Sequence, residues 1–104
     1  MLERFHVPPE MAVRVPEEDM RVTVEDIFRK LGMPDRDAVQ ATDVLMYADL
    51  RGVESHGVSN MMRVYVSNFQ DGRTNPMPVW KIIREAAAVC TIDSDRGLGL
   101  VIGP

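Results

Sequence analysis

Residues 51–58 read Arg-Gly-Val-Glu-Ser-His-Gly-Val, and the histidine among them, His56, is one of only two in 104 residues. Imidazole changes charge near neutral pH, so His56 is a candidate for giving or taking a proton at a substrate oxygen. The residues that follow add to the case. If His56 lies on a helix turning about 100° per residue, Asn60 falls about 40° to one side, Arg63 about 20° to the other and Ser67 about 20° away. Imidazole, amide, guanidinium and hydroxyl in one stripe would suit a small oxygen-rich anion, with Arg63 pairing with a carboxylate and Asn60 and Ser67 orienting it. The same stripe is also what a solvated helix face looks like, and the alignment weakens if His56 precedes the first turn.

Ser55 beside His56, with Glu54 or Asp49 near, raises the possibility of a nucleophilic triad. Adjacent helical residues point about 100° apart, so a direct Ser55–His56 relay is poor geometry, and Ser55 reads better as an N-cap. No metal site is expected, because His6 lies in the leader, Cys90 in a strand, and no two ligand types share a metal-site spacing. "GLGLVIG" has the wrong spacing for a Rossmann fingerprint, and "DSDRG" lacks the third acidic position and closing Glu of an EF-hand loop. Both read as turns whose glycines supply positive φ.

These groups need elements to hold them. Residues 1–15 carry Pro8 and Pro9 and no clear period, which predicts an extended or disordered leader. From Pro16, Met20, Val24, Ile27, Phe28 and Leu31 recur at helical spacing, with acidic residues at the start, Arg29 and Lys30 at the end and Gly32 as the stop, giving a helix over 16–31. A second runs from Pro34 to Gly52 with Ala38, Ala41, Leu45 and Ala48 on one stripe. A third starts between Ser55 and Ser59, carries Val58, Met61, Met62, Tyr65, Val66 and Phe69, and stops at Asp71-Gly72. "VWKII" and "AVCTID" then read as an antiparallel strand pair, and "GLVIGP" as the entry to a further element. The class is α+β: a three-helix segment over 16–75 and a hairpin in 76–104.

Net charge is −4 and the sequence pI about 5.1. That balance disfavours nucleic acid or an anionic membrane as partner and argues against a helix-turn-helix DNA binder. No stretch approaches the roughly 18 apolar residues of a membrane span, and the N-terminus lacks the apolar run of a signal peptide. One cysteine, Cys90, makes an internal disulfide impossible. A reducing, cytoplasmic setting is the expectation.

The segments "ADLRGVESHGVSNMMRVYVSNFQDGRTNPMP" and "AAAVCTIDSDRGLGLVIGP" together resemble the N-terminal region of the malate/L-lactate dehydrogenase-like oxidoreductases, a family that includes ureidoglycolate, sulfolactate and 2,3-diketo-L-gulonate enzymes. An RG-x-x-SHG turn, a helix, a G-x-x-NP exit and a D-x-D-x-GLG segment occur in that order over about residues 20–104. The resemblance implies hydride transfer between NAD or NADP and a small 2-oxo or 2-hydroxy acid, and a hairpin that begins a non-Rossmann α/β domain. It implies that His56 is the proton donor or acceptor, that Ser55 lines the substrate pocket, and that the whole enzyme is a homodimer. Members often carry arginine where this chain has Asn60, so Arg63 is a candidate substitute. Members are several times longer, so most cofactor contacts are expected beyond Pro104 and these residues alone are expected to be inactive. The competing expectation is a helical interaction module whose apolar stripes dock on a partner and whose His56 has no chemistry.

Overall fold

Two of the three long helices start behind a proline, and all three stop at a glycine. In the computed structural model, which describes residues 3–104, α1 spans Glu17–Lys30 behind Pro16, α2 Asp35–Leu50 behind Pro34, and α3 Val58–Gln70 behind Gly57. Gly32, Gly52 and Gly72 follow the three helices with φ of 97°, 73° and 74°. All three ends close in the same way. After α2, Gly52 N–H donates to Asp49 O at 3.1 Å and Val53 N–H to Ala48 O at 2.9 Å, the Schellman pair that satisfies a helix's last carbonyls. That pair requires positive φ at Gly52, where glycine has no Cβ penalty.

The predicted apolar stripes meet one another. Val24 and Phe28 of α1, Ala38, Ala41 and Leu45 of α2, and Met62 and Phe69 of α3 form one buried cluster with Met33 and Leu98. Phe28 is fully buried and meets Phe69 edge-on, with ring centroids 6.5 Å apart. The stripes of α1 and α3 therefore pack against this core. Ala38 and Ala41 are small enough to let α1 approach α2, and Arg21 joins the pair from outside by bonding Glu17 on its own helix and Asp43 on α2.

Beyond α3, β1 (Lys81–Glu85) and β2 (Cys90–Asp93) pair antiparallel, with a register irregularity between Ile82 and Arg84. The strands start two residues later than the apolar runs predict. Val79 N–H is taken by Asp95 Oδ2 at 3.0 Å, and Ala86 N–H closes the turn on Val89 O at 2.8 Å. One expectation for the "DSDRGLGLVIG" stretch is corrected. Its positive φ values belong to Asp95 and Arg96 (52° and 58°), not to glycines. A short fourth helix, α4 (Gly99–Ile102), occupies the "GLVIGP" stretch that reads as the entry to a further element. Gly97 is required for space, since a Cβ there would lie 2.9 Å from Pro78 and from Ile102. Gln40 of α2 donates to the carbonyls of Val101 (2.8 Å) and Leu100 (3.1 Å), which docks α4 on the helices.

The leader is not plain coil. Two 3-10 turns, Glu3–Phe5 and Pro9–Met11, interrupt an otherwise extended path. The first two residues of the expected leader lie outside the described residues.

One buried group stands out against the core. Thr42 is fully buried, and its Oγ1 has no hydrogen-bond partner among the described residues. Leaving a hydroxyl unsatisfied costs more than replacing it with an apolar group of the same shape. Thr42→Val is therefore expected to raise stability by about 1 kcal/mol, read as a higher urea midpoint with unchanged slope.

Candidate active site

The segment joining α2 to α3 is a 3-10 turn, Glu54–His56, followed by one extended residue, Gly57 (φ −92°, ψ −170°). His56 therefore precedes α3, and the helical wheel that aligned it with Asn60 and Arg63 does not apply across Gly57. Asn60, Arg63 and Ser67 still share a face of α3, as their spacing requires. The physical reason for the break is local: His56 N–H donates to Val53 O at 3.1 Å and Gly57 N–H to Glu54 O at 3.3 Å, three-residue bonds that the helix does not continue.

Ser55 is not the N-cap of α3. That position is Gly57, which has no side chain to cap with, and Asp49 of α2 does the work instead by accepting Val58 N–H on Oδ2 at 2.9 Å. The sequence raised Asp49 only as a possible triad member. The signal available was a glycine immediately before a helix with no Ser, Thr, Asp or Asn in the capping place.

The poor geometry expected for Ser55 and His56 is also corrected. In the tight turn Ser55 Oγ lies 2.8 Å from His56 Nδ1, a hydrogen bond that fixes the ring. Glu54, the nearest carboxylate in sequence, is turned away: its Oε2 accepts Val7 N–H at 2.9 Å and lies 3.8 Å from His6 Nδ1. What results is an oriented, exposed imidazole with Glu54 engaged elsewhere.

Asn60 is built into the turn. Its Nδ2 donates to Glu54 O at 2.7 Å and reaches Phe5 O at 3.5 Å, so one amide holds both the histidine turn and the leader. Arg63 is exposed and makes no hydrogen bond or ion pair among the described residues. On the far side of α3, burial pushes the Tyr65 phenol above its ordinary 10.0.

A cavity of about 460 Å³ between α2, Trp80 and α4 is lined by Arg36, Asp37 and Gln40 among others. A groove of about 320 Å³ runs between the leader's Val13 and Val15 and the α2 end at Asp49 and Leu50. Neither is lined by His56, Ser55, Asn60 or Arg63. Among the described residues no group of three His, Cys, Asp or Glu side chains is placed to hold a metal, and no helix is long and apolar enough to cross a membrane.

Residues 15–104 match the family of malate/L-lactate dehydrogenases. The chain belongs to that family. It is 42% identical over 103 residues to the malate dehydrogenase of Pyrococcus horikoshii, covering 99% of this chain and 28% of that protein. It is 39% identical over 88 residues to the L-sulfolactate dehydrogenase of Methanocaldococcus jannaschii, covering 85% of this chain and 25% of the relative. The solved structure of the Pyrococcus malate dehydrogenase superposes with a TM-score of 0.82 at 42% identity, over 88% of this chain and 26% of that one. The malate dehydrogenase of Entamoeba histolytica gives 0.80 at 31% identity, over 88% of this chain and 25% of that one. The chain thus spans about a quarter of the length of these dehydrogenase relatives.

If Asn60 holds leader and turn together, Asn60→Ala should cost about 1 kcal/mol and speed limited proteolysis within residues 3–15. Unchanged cleavage would show that the leader is held by other contacts.

Proposed function

We propose that this chain carries the proton-transfer part of an NAD(P)-dependent oxidoreductase that interconverts small 2-hydroxy and 2-oxo acids. The observation that supports it is the 2.8 Å bond between Ser55 Oγ and His56 Nδ1, on a surface turn of a chain whose relatives are named as malate and sulfolactate dehydrogenases. With Nδ1 engaged, Nε2 is the nitrogen left to meet a substrate oxygen. It gives a proton to the carbonyl oxygen in reduction and takes it from the hydroxyl in oxidation. Ser55 orients the ring and lines the pocket. Arg63, uncommitted on the adjoining helix face, pairs with the substrate carboxylate. Asn60, whose amide nitrogen is already spent, offers only its Oδ1 to a substrate hydroxyl.

A nicotinamide, when bound, would supply hydride to the substrate carbon in reduction and accept it in oxidation. The described residues do not wall in such a group around His56, which is exposed and lines neither of the two cavities described above. The reading therefore places NAD or NADP mainly on polypeptide beyond this segment. The hairpin supports the same view: Trp80 and Ile83 are 51% and 62% exposed, and a two-stranded sheet of that kind is marginal in water. We read it as the opening of the larger non-Rossmann α/β domain, in a homodimeric cytoplasmic enzyme.

In a protein of family length carrying this segment, His56→Ala should lower kcat by roughly 10² or more without loss of fold, since the ring is exposed. Turnover at the wild-type level would remove His56 from the chemistry. Arg63→Ala should chiefly raise KM for carboxylate substrates; an equal loss with an uncharged analogue would exclude the ion pair.

A further inference from the structure

The histidine turn is tied down by two bonds that begin on neighbouring residues of α2. At one end Val53 N–H donates to Ala48 O at 2.9 Å; at the other Val58 N–H donates to Asp49 Oδ2 at 2.9 Å. Ser55 and His56 lie between them. The first tether comes with any glycine-stopped helix. The second is particular to this joint, because α3 has no capping side chain of its own and a carboxylate from another helix takes the place of one. That carboxylate also complements the positive end of the α3 dipole.

Gly57 records how closely Asp49 approaches. Its φ of −92° is open to any residue, so conformation does not call for glycine here. Space does: a Cβ at position 57 would coincide with the Asp49 carboxyl group. Asp49 can make room only by withdrawing the carboxylate that accepts Val58 N–H.

We propose that Asp49 is the positioning residue of the His56 site: its side chain fixes the start of α3 and thereby where the imidazole stands, and Gly57 is glycine to admit it. The catalytic consequence rests on the reading of His56 as the proton-transfer group. Asp49 touches no reacting atom in this scheme. It acts through the turn, as an acceptor of a backbone N–H, so an amide oxygen in the same place should serve nearly as well as a carboxylate.

The test has a spectroscopic arm and a kinetic arm. In the 104-residue chain, Asp49→Ala should lower the hydrogen-exchange protection of the Val58 amide by roughly five- to tenfold and shift the His56 ring signals toward those of an unstructured histidine. Asp49→Asn should restore most of both. Gly57→Ala alone should disturb the same signals, and Asp49→Ala with Gly57→Ala should be no worse than Gly57→Ala, because the group it collides with has gone. Wild-type protection and ring signals in Asp49→Ala, Asp49→Asn as damaged as Asp49→Ala, or fully additive effects in the double variant would each overturn the proposal. In a protein of family length, Asp49→Ala should reduce kcat on the order of 10- to 100-fold with KM little changed, and Asp49→Asn should recover most of the loss. Intact turnover in Asp49→Ala beside a dead His56→Ala would overturn the positioning role. Intact turnover in His56→Ala would instead sink the catalytic reading, leaving the spectroscopic arm to decide whether Asp49 orders the turn.

Discussion

The carboxylate of Asp49 stands where a side chain at position 57 would stand, and much of the candidate site follows from that one exclusion. Because residue 57 has no side chain, α3 cannot cap itself. Because α3 is capped from α2, its first turn is referred to the end of α2 and not to the residues that lead into it. The stretch between is then short and held at both ends, which is why it closes into a 3-10 turn in place of an extra turn of α-helix. In that tighter winding two adjacent side chains, Ser55 and His56, come within hydrogen-bond distance, as they would not on a regular helix.

A second joint ties the helices to the hairpin, and it is also built from backbone groups caught by polar side chains. Asn75 Nδ2 and Val79 N–H both donate to Asp95 Oδ2 at 3.0 Å, Asn75 N–H donates to Arg96 O at 2.8 Å, and Arg96 Nη1 donates to Gly72 O at 2.8 Å. These bonds offset the left-handed backbone at Asp95 and Arg96, which non-glycine residues adopt at some cost. They also account for the motifs. The asparagine-proline exit and the aspartate-rich segment are two sides of one clasp, and that clasp delivers Leu98 into the helical core.

The hairpin contrasts with the helical part. Every strand residue is exposed, while the helices bury Phe28 and Leu45 almost completely. The same exposure argument separates the two halves of the proposed chemistry. His56, the proposed proton-transfer group, is oriented by Ser55 of the same turn, whereas a cofactor pocket needs walls that a bare two-stranded sheet does not provide.

Much of the fold was legible because its signals are local. The i, i+3, i+4 recurrence of Val24, Ile27, Phe28 and Leu31, the prolines before α1 and α2 and the three stop glycines act within a few residues of themselves, and the helices follow them to within a residue or two. The start of the first strand and the positive φ at Asp95 and Arg96 were not legible, and of α4 the sequence showed only that an element begins there, since these depend on partners some fifteen to sixty residues away, such as Asp95 for Val79 or Gln40 for Val101. For the site, the sequence by itself singled out a histidine of the right chemistry beside a serine and placed Asn60 and Arg63 on one helix face. Only the tertiary structure decided that His56 stands outside α3, that Ser55 orients its ring, that the amide of Asn60 is spent on backbone, and that Asp49 is the cap. The reason is physical: helical spacing orders residues within an element, but a turn between elements takes its shape from what the two ends are bonded to.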